Sequence, residues 1–131
     1  MTPEELVSTA TAWAAGEPRI AALALVGSHA RGTAQPGSDV DLVVLTEARD
    51  EFLRDTTWAT RFGVPLRRAR ESWGRVESVR VWYQGGREVE FSFAGPDWAA
   101  MPLDEGTRRV AEAGLRVLFD REGILEGVAR G

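Results

Sequence analysis

Apolar residues form two short continuous runs in the first half of the chain. The segments 19–27, RIAALALVG, and 38–46, SDVDLVVLT, are both too short for typical helices. Continuous apolar runs of this length are typical of strands buried on both faces. Farther along, the segment 75–95 contains two β-rich runs on either side of Gly85-Gly86, which predicts a hairpin.

Helical patterns surround these strands. The letters TPEE at 2–5 predict a helix start with a threonine N-cap, a proline in the first turn and a capping box, and the helix should end near Gly16. Residues 48–61 have helical spacing. The tail predicts a helix over 105–115, a strand over 116–120 and a last helix from Gly123.

This order of elements predicts an α/β (α+β) fold, a small mixed β-sheet with flanking helices. The length of 131 residues, with 44% apolar and 27% charged residues, is ordinary for one globular domain, so we expect a single domain over 1–131. The opening residues are acidic where a signal peptide is basic, and no apolar run approaches the ~20 residues that span a bilayer. We therefore expect a cytoplasmic protein with no membrane partner.

Composition narrows the chemistry further. The chain has no cysteine and one histidine, which excludes thiol nucleophiles and zinc–thiolate sites. All 16 basic residues are arginine, so a lysine Schiff base and a P-loop lysine are excluded as well. The net charge of −4 argues against nucleic acid as a partner. Four arginines between 67 and 75 are interpreted as a solvated face, and the five tryptophans as core and rim packing.

Two aspartates stand at the start of the second predicted strand. Asp39 and Asp41 are two positions apart, so their side chains should point to the same side, with Cα atoms roughly 6–7 Å apart. Two such carboxylates can share one divalent ion, or flank a pair of ions ~3.5–4 Å apart. Unpaired, they would repel each other and lose solvation, and a bound Mg²⁺ would remove both costs.

Gly27 and Ser28 end the first predicted strand. If a short helix begins at Ser28, its free N–H groups form an anion site, and glycine lets a phosphate approach the backbone. The Ser28 hydroxyl and the Arg31 guanidinium can add donors. Alone, a Gly-Ser or a D-x-D is more often a plain turn, but both at this spacing should arise by chance in only roughly one chain in several hundred. The combination favours a triphosphate held beside a metal.

The stretch GSHARG…SDVDLVV resembles the signature of the nucleotidyltransferase superfamily that includes DNA polymerase β, especially its minimal single-domain members. Gly27-Ser28, ten intervening residues and Asp39-x-Asp41 match that signature without a gap, and Arg31 and Ser38 match its common embellishments. The resemblance implies that the two aspartates bind Mg²⁺ (or Mn²⁺). It also implies that the Gly-Ser turn, with Arg31 and Ser38, binds the phosphates of an NTP such as ATP.

The resemblance implies a third carboxylate on a later strand. Glu88 and Glu90 share one face of the strand REVEFSF. Glu90 is flanked by apolar residues, so its burial is harder to explain without a partner. It is the preferred third carboxylate, expected to ligate a second metal ion or to take the proton of the hydroxyl that accepts the nucleotide, with Glu88 as the reserve. The alternative is a solvated strand face, and a bulge at Gly85-Gly86 would change which face points inward.

The implied activity is transfer of AMP from an NTP to a hydroxyl acceptor with release of pyrophosphate. Roughly forty residues follow Glu90, so we expect the acceptor to be held by this domain, by a second copy in a homodimer, or by a partner protein. Minimal nucleotidyltransferases that act as antitoxins, and that can modify a partner toxin, are the nearest analogy. The alternative hypothesis is a catalytically weak nucleotide-binding or partner-neutralising module.

Overall fold

A single mixed sheet of six strands forms the centre of the molecule. The structure, a computed structural model, describes residues 1–130, the last of these by its backbone only. The strands are β1 (Ile20–Val26), β2 (Val40–Thr46), β3 (Pro65–Trp73), β4 (Val76–Tyr83), β5 (Glu88–Ala94) and β6 (Leu115–Asp120). Their order in the sheet is β3-β4-β5-β2-β1-β6. The pair β2 and β5 is parallel, and the other neighbouring pairs are antiparallel.

Short helices connect and cover the strands. The α-helices are α1 (Pro3–Gly16), α2 (Ser28–Arg31), α3 (Arg49–Arg54), α4 (Glu105–Ala113) and α5 (Glu126–Arg130), and two 3-10 helices span Thr57–Phe62 and Pro96–Ala99. None of the helices in residues 1–130 combines the length and the apolar character needed to cross a membrane. The predicted fold class, a small mixed sheet with flanking helices, is confirmed.

Helix α1 begins as the sequence predicts. The Thr2 side chain accepts from the Glu5 amide at 3.1 Å, and the Glu5 carboxylate accepts from the Thr2 amide at 3.1 Å. This capping box satisfies two amides that the helix itself leaves without partners. The apolar stripe of α1, which includes Leu6 and Trp13, is buried against the sheet.

The two faces of the sheet have different cores. On β2, Val40, Leu42 and Val44 point to the first face, where α1, α3 and the first 3-10 helix pack. This first face carries an aromatic cluster of Trp13, Phe52, Trp58, Phe62, Phe91 and Phe93. Each such buried side chain contributes roughly 1.5–3 kcal/mol relative to an exposed one. The first face therefore supplies most of the hydrophobic stabilisation.

The second face is covered at one end by a smaller core. Val43 and Leu45 of β2 point to this face and pack with residues of the second 3-10 helix, the segment after it and α5. Asp41 and Glu90 belong to the same face by strand alternation, but lie beyond this core and remain partly exposed. The candidate site therefore occupies the less covered end of the second face.

Two helix predictions need correction. Residues 48–61 form two short helices instead of one, because Asp55 adopts extended backbone angles and its carboxylate accepts from the Thr57 amide at 3.1 Å. The last helix begins at Glu126 instead of Gly123. The amides of Ile124 and Leu125 bond to the Asp120 carboxylate at 2.9 and 2.8 Å, which holds this segment in a turn first.

Strand β3 is an element that the sequence analysis missed. It pairs with β4 at the edge of the sheet, and its side chains are mostly exposed. Arg67, Arg68 and Arg70 are solvated, as interpreted, but they stand on this strand. An edge strand with charged residues on both faces lacks the apolar alternation by which strands are recognised.

Candidate active site

Charged side chains form a row across three neighbouring strands of the second face. Asp41 on β2 and Glu90 on β5 are direct partners in the parallel register. Arg80 on β4 is the antiparallel partner of Glu90. Residues paired directly across strands point to the same face, so the three side chains are neighbours. Asp39 lies just before β2 and reaches the row through a bond of 3.0 Å to Arg80.

The guanidinium of Arg80 is surrounded by four carboxylates. It donates to Asp39 at 3.0 Å, to Glu71 at 3.1 Å, to Glu88 at 2.6 Å, and to Glu90. Burial by itself would lower the pKa of Arg80, but the hydrogen bonds to these carboxylates outweigh it and raise the pKa well above its usual range. Arg80 is therefore a permanent cation inside the acidic row.

Arg80 is a site residue that the sequence analysis missed. The predicted hairpin could have revealed it, because Arg80 and Glu90 lie equally far from Gly85 on the two strands. Carrying the pairing outward from the turn would have placed them opposite each other. The pairing of β4 with β5 runs without a register shift from Glu88 to Phe93, so Glu88 and Glu90 both point to the face that carries Asp41.

Gly27 brings the Gly-Ser turn into contact with the aspartates. Its φ of +75° favours glycine. A Cβ atom at this position would lie 2.4 Å from Oδ2 of Asp41, closer than any van der Waals contact permits. Both halves of the GSHARG…SDVDLVV stretch therefore meet at Gly27 and Asp41.

Burial and neighbouring carboxylates raise the pKa values of Asp41 and Glu90. Burial, followed by repulsion from Asp39 and Glu90, raises the pKa of Asp41 to about 7. Burial also raises the pKa of Glu90, with Arg80 opposing and the charges of Glu71 and Asp39 reinforcing the shift. The positive charge of Arg80 is therefore not enough to keep the pKa values of Asp41 and Glu90 in their ordinary range.

The oxygen ligands of this row suit a hard divalent cation. Mg²⁺ and Mn²⁺ prefer carboxylate oxygens, and the raised pKa of Asp41 shows that positive charge beside it would be favourable. Within residues 1–130, no three His, Asp or Glu side chains converge into a complete metal site. Arg80 bonds to both Asp39 and Glu90. Asp39 and Asp41 would hold such an ion as a pair, with Glu90 beside them.

The Gly-Ser turn leads into helix α2, which begins at Ser28 as expected. The first backbone bonds of this helix are donated by Ala30 and Arg31 to the Gly27 carbonyl, each at 3.1 Å, so the amides of Ser28 and His29 are not used within the helix. His29 lies in helix α2, with Nε2 at 3.5 Å from the Ser38 carbonyl oxygen.

Ser38 and Arg31 both have local contacts. The Ser38 hydroxyl accepts from the Gln35 amide at 2.9 Å and fixes the turn before β2. The Arg31 guanidinium donates to the Ala113 carbonyl at 3.4 Å, and its side chain packs against Gly114 at the start of β6. The structure thus brings Gly27, Asp41 and Glu90 together, and anchors Arg31 toward the β6 side of the sheet.

Comparison with known proteins identifies the domain. Residues 9–83 match the family model described as "Nucleotidyltransferase domain". This segment contains the Gly-Ser turn and both aspartates, but ends before Glu88 and Glu90. A sequence search of curated proteins gives no significant match.

Two solved structures share the fold. An aminoglycoside 6-adenyltransferase from Bacillus subtilis matches with a TM-score of 0.61 and 14% identity, over 76% of this chain and 37% of that one. The polymerase core of TRAMP, an RNA surveillance complex, matches with a TM-score of 0.51 and 21% identity, over 68% of this chain and 29% of that one. The chain thus spans about a third of either structure's length. With more than half of its residues in the matched segment, the chain belongs to the nucleotidyltransferase domain family, within the DNA polymerase β-like superfamily.

Proposed function

We propose that the protein transfers AMP from ATP to a hydroxyl acceptor and releases pyrophosphate. The observation that carries this proposal is the contact between Gly27 and Asp41, with Glu90 directly opposite Asp41. A phosphate-binding turn, a pair of metal-binding carboxylates and a further acid would then lie within one short row of the sheet.

Each candidate residue has a role in this proposal. Asp39 and Asp41 would hold Mg²⁺, or Mn²⁺, with Glu90 as the third ligand. When bound, such an ion supplies positive charge that stabilises the charge developing on the phosphates. Glu90 is preferred to Glu88 because it is the register partner of Asp41, whereas Glu88 also accepts from the Trp82 indole at 3.0 Å.

The phosphate side of the site would be built on the start of α2. The amides of Ser28 and His29 are not used within the helix, and the Ser28 hydroxyl adds a donor. Arg31 would contribute by leaving its contact with Ala113, which at 3.4 Å is long for a hydrogen bond and costs little to break. Ser38 keeps its hydroxyl proton free for donation, because it acts as an acceptor toward Gln35.

The transfer itself is a single in-line displacement. The acceptor oxygen forms a bond to the α-phosphorus, and the bond from that phosphorus to the pyrophosphate oxygen breaks. The proton of the acceptor hydroxyl passes to Glu90, whose raised pKa suits a base in this position. Positioning and electrostatic stabilisation would supply most of the rate.

A second candidate function is a binding module with little turnover, such as an antitoxin-type neutraliser of a partner protein. The bonds from Arg80 to Asp39 and Glu90 favour it, because a guanidinium that stays in place would satisfy these carboxylates without a metal. The two candidates differ in whether the carboxylates leave Arg80 when ATP and Mg²⁺ are supplied.

Calorimetric titration tests the proposal. ATP should bind the wild type with Mg²⁺ and not with EDTA, and binding should be lost in Asp39→Asn/Asp41→Asn. The exposed Asp50→Asn is the matched control and should bind normally. Glu90→Gln should still bind ATP while losing pyrophosphate release, measured with candidate hydroxyl acceptors. Metal-independent ATP binding that survives Asp39→Asn/Asp41→Asn would favour the module instead.

A further inference from the structure

A groove of about 490 Å³ crosses the second face of the sheet beside the charged row. Glu90 belongs to both, because it lines the groove and also faces Asp41. Much of the remaining lining is apolar and comes from four strands and α4: Val26, Val43, Trp73, Val76 and Val110. The volume lies within the range of about 300–1,000 Å³ that is typical of small-molecule sites.

Hydrogen bonds hold the wall of this groove in place. Asp104 caps α4 by accepting from the Thr107 amide at 2.8 Å. The buried Thr107 hydroxyl donates to the Trp98 carbonyl at 3.0 Å. Arg75, from the turn between β3 and β4, bonds to Asp104 and to Asp97. The groove is therefore formed before any ligand arrives, which lowers the cost of binding.

The lining disfavours an anionic ligand and offers an aromatic surface for a flat apolar body. Trp73 leaves 58% of its surface exposed at the end of β3, although large aromatic side chains are usually covered. The single cation among the lining residues is Arg75, and acidic partners already neutralise it. An anionic ligand would meet Glu90 and Asp104 with no free positive charge to compensate.

The groove meets the charged row at Glu90 and extends along the second face from the turn between β3 and β4 to Val26 at the end of β1. Val26 directly precedes the Gly27-Ser28 turn, so the groove and the phosphate turn are neighbours at the end of β1. A hydroxyl group of a ligand in the groove could therefore lie close both to Glu90 and to a triphosphate on the turn.

We propose that this groove is the acceptor site, and that the acceptor is a small molecule without negative charge that has a flat apolar ring system and a hydroxyl group directed at Glu90. The proposal rests on the proposed function for the reaction itself. The acceptor oxygen forms the new bond to the α-phosphorus, pyrophosphate leaves, and the hydroxyl proton passes to Glu90.

Nuclear magnetic resonance on the isotope-labelled protein tests the assignment. The probes are 2-naphthol, 4-phenylphenol and cyclohexanol, added with and without ATP and Mg²⁺. We expect 2-naphthol or 4-phenylphenol to shift the Trp73 indole and the Thr107 and Val110 amides, and cyclohexanol to have a weaker effect. Trp73→Ala should weaken this binding roughly tenfold, as judged from the Thr107 and Val110 signals.

Leu66→Ala is the matched control. Leu66 is also a large exposed apolar residue of β3, at 68% exposure, but it does not line the groove. Its substitution should leave probe binding unchanged. Equal losses in Trp73→Ala and Leu66→Ala, or the absence of shifts with all three probes, would overturn the assignment. Shifts of the groove signals by ATP or adenosine alone would also overturn it, because the groove would then hold the nucleobase.

The experiment distinguishes a failure of acceptor binding from a failure of nucleotide transfer. If the aromatic probes occupy the groove and no adenylylated probe appears by mass spectrometry, the groove assignment stands and the proposed reaction loses support. If ATP binds with Mg²⁺ while every probe leaves the groove signals unshifted, the nucleotide site stands and the acceptor assignment is wrong.

Discussion

At position 27, two separate physical demands disfavour any residue with a side chain. The backbone has a φ of +75°, and Oδ2 of Asp41 occupies the space that a Cβ atom would need. Gly32, at the other end of α2, has a nearly identical φ of +77° with no atom within 4 Å of a built Cβ. The two glycines thus share a positive φ, but only Gly27 lies against the Asp41 side chain.

This difference predicts unequal effects of the same substitution. Gly32→Ala should lower the free energy of unfolding by about 1–2 kcal/mol, the cost of a side chain at positive φ. Gly27→Ala should cost at least about 1 kcal/mol more and should abolish metal-dependent ATP binding, because Asp41 must move. Urea denaturation and calorimetry measure both effects. Equal costs at the two positions would show that the contact with Asp41 has no energetic consequence.

Arg80 supplies positive charge to the four carboxylates that surround it. Without it, Asp39, Glu71, Glu88 and Glu90 would face one another with no counter-ion. We expect Arg80→Met to lose about 1–3 kcal/mol of stability in EDTA, because it leaves partly buried charges unpaired. Mg²⁺ should then restore more stability to Arg80→Met than it adds to the wild type.

The control for this prediction is Arg109→Met. Arg109 pairs with Glu105 one helical turn away, and both side chains are about three-quarters exposed. Removal of this pair should cost less than about 0.5 kcal/mol, with no dependence on Mg²⁺. If Arg80→Met is as stable as Arg109→Met in EDTA, the four carboxylates do not depend on Arg80 for their stability.

At the scale of elements, the strands that the sequence predicted are those buried on both faces. β1 and β2 are continuous apolar runs because neighbouring strands and helices enclose them, and the hairpin of β4 and β5 has its two-glycine turn. β3 lies at the edge of the sheet, where charged residues are tolerated, so its sequence resembles that of a solvated loop. The break at Asp55 depends on one side-chain bond, which spacing does not reveal.

The candidate site was predictable to the extent that it is local in sequence. The spacing of Gly27, Asp39 and Asp41 indicates a shared site, and Glu90 follows from strand alternation. Arg80 could be found only from the register between β4 and β5, and a register is a property of two strands together. Prediction of the groove would have required the positions of β3 and α4 relative to the sheet, and no local pattern in the sequence contains that information.

The register between β4 and β5 also joins two buried serines. Ser78 and Ser92 are direct partners, with their hydroxyl oxygens 2.8 Å apart. Each single alanine variant should cost about 1–3 kcal/mol, because it leaves the other hydroxyl without its partner, and the double variant should cost less than the sum. A double-mutant cycle by urea denaturation measures this coupling. The exposed Ser72→Ala should change stability by less than about 0.5 kcal/mol, and additive serine variants would contradict the coupling.

At the scale of the whole molecule, the two faces of the sheet divide stability and chemistry between them. The first face buries the aromatic cluster, and the second carries crowded carboxylates that oppose folding when no cation is bound. Proteins commonly tolerate this cost where function requires it. The arrangement makes the stability of the entire metal-free domain depend on the protonation of a few acids.

The clearest of these acids is Asp41, which faces Asp39, Glu90 and Arg80. Its pKa in the folded protein is about 7, against an ordinary value of 3.8. Below about pH 4 Asp41 is protonated in both the folded and unfolded states, and its contribution to stability is fully present; that contribution is lost as the pH rises through about 7. In EDTA, Asp41→Asn should therefore match the wild type near pH 4 and exceed it by roughly 1–3 kcal/mol at pH 8, after allowance for solvent screening of this half-buried group.

Urea denaturation across this pH range measures the difference, with the exposed Asp50→Asn as the variant that should show no such trend. Mg²⁺ at pH 8 should narrow the gap, because bound positive charge stabilises the ionised wild-type site and Asp41→Asn lacks the ligand. A difference that stays constant from pH 4 to pH 8 would mean that Asp41 ionises normally in the folded protein. The carboxylates would then already have enough positive charge from Arg80, and the hypothesis of a binding module with little turnover would gain over the enzyme.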